Sequence, residues 1–235
     1  MHCFNGPPAE WRLLDRSGMR IVLSACLIAL ATSGACTGTP QPDPPNLDIR
    51  NVRVVPMRTP FVQVLGTAGA AAGGTVRVVN LDTMLPPVDT PVAADGSFEL
   101  TIDGSTGNTL RLQVRDGARR SDPVDVLAAD PLALVEHPIG GCLAIAPPFE
   151  AVLSGGSATI ALTNGCGSPI ALSRVALRVS GAPFEVVTAP SSIAAGETVS
   201  IEVRALGASS GAEEILLVEV TAPSVDRFAL TLINP

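Results

Sequence analysis

The chain has 235 residues, with 15 Lys+Arg against 22 Asp+Glu and a formal net charge of −7. Setting aside residues 1–35 leaves 12 basic against 20 acidic residues, a net of −8, which argues against nucleic acid or an anionic headgroup surface as an electrostatic partner. All fifteen basic residues are arginine, so no lysine exists to serve a P-loop, a Schiff base or a pyridoxal cofactor.

The first predicted element is an export signal. Ile21 to Ala31 is an apolar run with Arg20 before it and small residues after it, and it is too short to cross a bilayer as a helix. Residues 1–35 therefore read as a leader. Met19 sits one residue before Arg20, and residues 1–18, with Pro7-Pro8 and mixed charge, add nothing an export signal needs; Met19 is the expected true start. The exit of the signal, Ser33-Gly34-Ala35-Cys36, resembles the lipobox of bacterial lipoproteins. That resemblance implies diacylation of Cys36, which becomes the mature N-terminus. Ser33 stands where an aliphatic residue is usual. Leu23-Ser24-Ala25-Cys26 fits the pattern more closely, but cleavage there would leave only Ile21 to Ala25 as an apolar core. Ordinary secretion after Ala31 or Ala35 is the alternative.

Residues 36–46 follow as a tether. Pro40, Pro42, Pro44 and Pro45 fix an extended, solvated backbone that cannot bury a core. At about 3.1 Å per residue the segment could hold a folded body some 30 Å from an acylated surface. Beyond it only Cys142 and Cys166 remain. In an oxidising compartment such a pair is most simply a disulfide, worth roughly 3 kcal/mol on the chain-entropy estimate. A two-thiolate metal site lacks partners, since His137 is the only histidine past the leader and Cys-x-x-Cys spacing is absent.

Residues 47–128 carry strand signals throughout. Strands are predicted over 48–55, 61–66, 75–81, 90–93, 97–102, 109–115 and 123–127. Phe98, Leu100 and Ile102 alternate with Glu99 and Thr101, and Leu110, Leu112 and Val114 with Arg111, Gln113 and Arg115, so each strand is expected to bury one face. Asp95-Gly96, Asp103-Gly104 and Asp116-Gly117 punctuate the runs where reversals are needed. The series Gly66, Gly74-Thr75-Val76-Arg77-Val78, Ala94-Asp95-Gly96-Ser97-Phe98, Leu110-Arg111-Leu112-Gln113-Val114 and Ser121-Asp122-Pro123-Val124 resembles the bacterial immunoglobulin-like domains of surface proteins. These motifs are structural and imply no activity.

Residues 129–141 join the blocks. Leu132, Leu134 and Val135 between Pro131 and Pro138 read as an ordered connector with one added edge strand, leaving the blocks semi-rigid. Residues 142–235 offer seven strands, over 142–146, 158–163, 170–179, 184–187, 198–206, 214–221 and 227–233, the count of an immunoglobulin-type sandwich. Val199, Ile201 and Val203 point inward, while Ile215 to Val218 is apolar on both faces, as in a central strand. The order Ser157 to Asn164, Pro169-Ile170-Ala171-Leu172, Pro183-Phe184-Glu185-Val186 and Ile193 to Val199 resembles the ASH or choice-of-anchor D group, relatives of the MSP-type sandwich. The resemblance implies a structural or docking module. The cysteine pair is not a general feature of that group.

Few residues suit chemistry. Gly207-Ala208-Ser209-Ser210-Gly211 matches the Gly-x-Ser-x-Gly of serine hydrolases, but it lies in an expected hairpin loop with no strand-to-helix elbow and no histidine at hand. Gly66 to Gly74 leads into a strand, so no helix N-terminus would receive a phosphate. Asp95, Asp103, Asp116, Asp122 and Asp125 lie near predicted turns and could supply oxygens to calcium, although their spacing matches no known loop; solvated turn residues are the simpler reading. Phe61, Phe98, Phe149, Phe184 and Phe228 are expected in the core, and His137 as a solvated linker residue.

The expectation is thus an all-β protein of two tandem immunoglobulin-like β-sandwich domains after a signal peptide and a Pro-rich tether. It is expected to be a non-catalytic lipoprotein of the bacterial cell envelope, without cofactor or metal. It would face periplasm or cell surface and dock another envelope protein through loops or a strand edge. The alternative is a ligand-binding module for calcium or glycan.

Overall fold

Alternating apolar residues build two β-sandwiches, and the computed structural model describes them over residues 45–58, 60–207 and 209–235. The expected leader and Cys36, with most of the expected tether, lie outside the described residues. At the tether's end Pro45 is buried and Asn46 pairs with Ala72.

The first block contains β1 (Asn46–Leu47), β2 (Val52–Pro56), β3 (Phe61–Gly66), β4 (Ala71–Ala72), β5 (Thr75–Asn80), β6 (Val88–Pro91), β7 (Phe98–Asp103), β8 (Thr109–Asp116), β9 (Arg119–Arg120), β10 (Val124–Leu127) and β11 (Ala133–Leu134). A three-stranded sheet, β2-β3-β7, faces a larger one ordered β11-β10-β8-β5-β6, with β9 beside β8. Val54, Val62, Val64, Leu100 and Ile102 from the first pack against Val76, Val78, Leu110, Leu112 and Val114 from the second. Residues 48–51, expected as strand, begin instead with a 3-10 turn, Ile49–Asn51, because Asp48 accepts the Arg50 amide at 3.2 Å. The connector supplies the expected edge strand, β11, paired antiparallel to β10.

The second block contains β12 (Leu143–Ala146), β13 (Glu150–Val152), β14 (Ser157–Asn164), β15 (Ile170–Leu177), β16 (Phe184–Thr188), β17 (Ser192–Ile193), β18 (Thr198–Ala205), β19 (Glu213–Ala222) and β20 (Asp226–Ile233). The sheets are β12-β14-β18-β16 and β13-β20-β19-β15-β17. Ile160, Leu162, Ile201 and Val203 meet Leu172, Leu216, Val218, Leu230 and Leu232 between them. The short strands β13 and β17 were not legible in the sequence, and β13 runs parallel to β20.

Residues 42–235 form one compact unit. The outer face of the β5-β8 sheet lies on the outer face of the β19-β20 sheet, giving four stacked layers of strand. Val79, Leu81, Ile215, Leu217 and Ala229 form a third apolar cluster at this seam. This corrects the expectation that β8 turns Arg111 and Gln113 to water: they are 6% and 4% exposed. It also gives the reason that β19 is apolar on both sides. Leu216 and Val218 fill one sandwich, while Ile215 and Leu217 cover the other.

Candidate functional site

The seam is where ionisable side chains converge. Sheet alternation sends Arg77 of β5, Arg115 of β8 and Arg120 of β9 toward Glu213, the first residue of β19. Its Oε1 accepts from Arg115 at 3.0 Å and from Arg120 at 2.6 Å, and its Oε2 accepts from Arg77 at 2.8 Å. Burial alone would push the Glu213 carboxyl up, but the Arg115 and Arg120 hydrogen bonds outweigh it and hold the group below its ordinary range. Arg77 also forks onto Asp89 across β5 and β6, at 2.7 and 2.6 Å.

Three further ties cross the seam. Gln113 donates to Glu150 at 2.8 Å. Arg227 of β20 donates to Asp82 at 2.6 Å and to Thr109 Oγ1 at 2.7 Å. Arg178, just past β15, donates Nη1 to the backbone carbonyls of Thr83 and Leu85 at 2.6 and 2.9 Å. The nearest carboxylate to Arg178 is Glu214, at 3.7 Å. Burial pushes the Glu214 carboxyl upward and the Arg178 guanidinium downward.

Between the loop 83–87 and β19 the two faces part into a cleft of about 400 Å³, with Arg77, Arg111, Arg115 and Arg178 in its lining. Val79, Met84, Pro86, Pro87, Val179 and Ile215 supply apolar wall. Arg111 forks onto Asp125 with two bonds of 2.7 Å. Arg111 Nη1 and Arg178 Nε are buried without a hydrogen-bond partner.

Cys142 and Cys166 are joined by a disulfide, with Cα atoms 4.9 Å apart. The bridge packs beside the second core. Fully buried Asn164 holds its loop, accepting the Cys166 amide at 2.8 Å and donating to the carbonyls of Ser168, Ile193 and Ala194.

His137 departs from the expectation of a solvated linker residue. Its Nδ1 lies 2.8 Å from Asp226 and its ring stacks on Phe228 at 4.7 Å. Asp226 also accepts the amides of Ile139 and Arg227, so the pair pins the connector to β20. Ser209, in the Gly-x-Ser-x-Gly segment, meets Ala212 and Asn234 through its carbonyl. Ala208 of that segment lies outside the described residues.

Three of the five aspartates considered for calcium are engaged with other partners. Asp95 accepts from Ser97 N and Oγ at 2.9 and 2.6 Å, Asp116 pairs with Arg119, and Asp125 pairs with Arg111. No group of three or more His, Cys, Asp or Glu that could hold a metal occurs among the described residues. Phe98 and Phe184 are core as expected, whereas Phe61 and Phe149 are exposed; in β3 alternation turns Val62 and Val64 inward and Phe61 outward.

No protein-family model and no curated protein matches the chain. Among solved structures, similarity is found to a protein of unknown function from Porphyromonas gingivalis W83, 10% identical over 81% of this chain and 100% of that one, at a TM-score of 0.31. Vibrio cholerae VesB protease is 13% identical over 68% of this chain and 62% of that one, at 0.34. Yersinia pseudotuberculosis adhesin InvE is 14% identical over 80% of this chain and 60% of that one, at 0.26. At TM-scores this low the likenesses carry nothing over to this chain's activity or partners.

The seam residues Glu213, Arg115, Arg120 and Arg178 are what sequence reading missed. One signal pointed there: a strand apolar on both faces needs a cover on both, and the second cover of β19 is the other sandwich.

Proposed function

We propose that this chain is an exported, lipid-anchored protein of the bacterial cell envelope, whose paired immunoglobulin-like sandwiches act as a non-catalytic structural and protein-docking module. The leader ending at Cys36 and the Pro-rich tether support the anchoring, and the Cys142–Cys166 bridge supports an oxidising compartment. The likeness of the two blocks to bacterial immunoglobulin-like and ASH-type domains supports docking over catalysis.

The observation that carries the reading is the seam. With one outer face of each sandwich engaged against the other, a partner meets a braced body through its free edges and loops. Strand β16 is such an edge, with Val187 and neighbouring Leu206 exposed, and an unpaired strand edge readily accepts an added strand. A second reading, a ligand-binding surface module, is favoured by the arginine-lined cleft.

Metabolic labelling with a fatty-acid analogue tests the anchor: the native chain is expected to take label and Cys36→Ala to lose it, whereas equal labelling of both removes Cys36. A photo-crosslinker at Val187 is expected to trap a stoichiometric envelope protein, and a crosslinker at exposed Arg53 to trap none. Identical products from the two positions would overturn docking through β16.

A further inference from the structure

The cleft at the seam has more hydrogen-bond donors than the protein satisfies. Arg178 is 7% exposed and Arg111 is 6% exposed, both side chains line the cleft, and each has one guanidinium nitrogen without a partner. Buried donors left unpaired are costly and normally meet an acceptor. Arg178 has no carboxylate within hydrogen-bonding distance, its ties being two backbone carbonyls and Glu214 at 3.7 Å. Burial pushes the Glu214 carboxyl upward, and at 3.7 Å it leaves the Arg178 Nε donor unfilled.

The rest of the lining limits the ligand. Val79, Met84, Pro86, Pro87, Val179 and Ile215 form an apolar wall, unsuited to a bare inorganic ion. The cleft, about 400 Å³, lies within the size range of small-molecule sites. We propose that the seam cleft is a binding site for one small organic anion, a carboxylate carrying a short apolar chain, whose oxygens take the free donors of Arg178 and Arg111 while its chain lies on Met84, Pro86 and Val179. Nothing in the site depends on how the protein is anchored or what β16 docks, so its failure leaves the docking reading untouched.

The test is titration of the full chain with hexanoate, hexanamide and inorganic phosphate, followed by calorimetry and by the side-chain Nε–H resonances of 15N-arginine-labelled protein. Hexanoate is expected to saturate one site and to shift the Arg178 and Arg111 resonances but not that of Arg53. Arg178→Gln is expected to weaken it about tenfold or more, as for one lost charged hydrogen bond. Met84 lies on the exposed rim, so Met84→Glu keeps the fold and is expected to weaken hexanoate roughly fivefold by repulsion. Equal binding of hexanamide, full displacement of hexanoate by equimolar phosphate, or the absence of any saturable arginine shift would each overturn the proposal.

Discussion

Single side chains decide how the two sandwiches meet, and Glu213 decides most. Its carboxylate serves Arg77, Arg115 and Arg120 at once; removing its charge takes the main carboxylate from Arg115 and Arg120, while Arg77 keeps its fork onto Asp89. Glu213→Gln is expected to destabilise the protein by about 3 kcal/mol in urea unfolding, the scale for breaking one side of a buried ion pair. The same group shapes the acid response. Glu213 and Asp89 are both held below their ordinary range, Asp89 chiefly by the Arg77 fork. A depressed carboxyl gives stability that is fully present above its unfolded value, roughly pH 4, and is lost as pH falls through the folded value. Glu214, raised by burial, has the opposite sign: its contribution is present below its unfolded value and lost as pH rises. Glu213 and Asp89, joined by Asp48 and Asp95, are depressed and only Glu214 is raised, which predicts net loss of stability below about pH 4, with a shallower acid limb in Glu213→Gln than in the native chain. Glycine matters at fewer places. A Cβ on Gly74, at φ +52°, would lie 1.7 Å from the Arg115 carbonyl, so Gly74→Ala is expected to lower the melting temperature by separating β5 from β8.

At the scale of elements, the sequence announced what alternation can announce. β7, β14 and β18 appear within a residue or two of expectation because each has one apolar face and turn residues at its ends. β13 and β17 escaped because three and two residues are too few to display a period, and their pairing partners β20 and β15 lie far away in sequence. The disulfide was legible from cysteine count and compartment, but Asn164 was not. Nothing in Thr163-Asn164-Gly165-Cys166 reveals that the amide organises the loop after β14 through three carbonyls. Reduction of the Cys142–Cys166 bridge, which spans a separation of 24 residues, is expected to cost about 3 kcal/mol, read as a fall in melting temperature on adding dithiothreitol. Asn164→Ala is expected to cost a comparable amount, about 3 kcal/mol, since it leaves buried carbonyls unpaired. It should do so equally in oxidised and reduced protein if the loop, and not the bridge, is what the amide holds.

For the whole molecule the question is whether two sandwiches make two folding units or one. A domain reading of the sequence gives two, because each block has its own apolar alternation and its own core. The seam argues for one: it buries Val79, Leu81, Ile215, Leu217 and Ala229, and it covers the Arg111 and Gln113 faces that isolated sandwiches would present to water. Arginine and glutamine at alternate positions look solvent-facing in any sequence, which is why the second burial of β8 stayed hidden. The native chain is therefore expected to unfold in a single calorimetric transition. Leu217 separates the two possibilities, since its neighbours Leu216 and Val218 fill the second core while Leu217 belongs to the seam cluster alone. Leu217→Asp places an unpaired carboxylate in that cluster, a penalty of several kcal/mol that is relieved only if the sandwiches part. Two resolved transitions and a larger radius of gyration are the expected outcome, because both cores survive without the seam. One transition, merely moved to lower temperature, would mean that neither sandwich stands without the other.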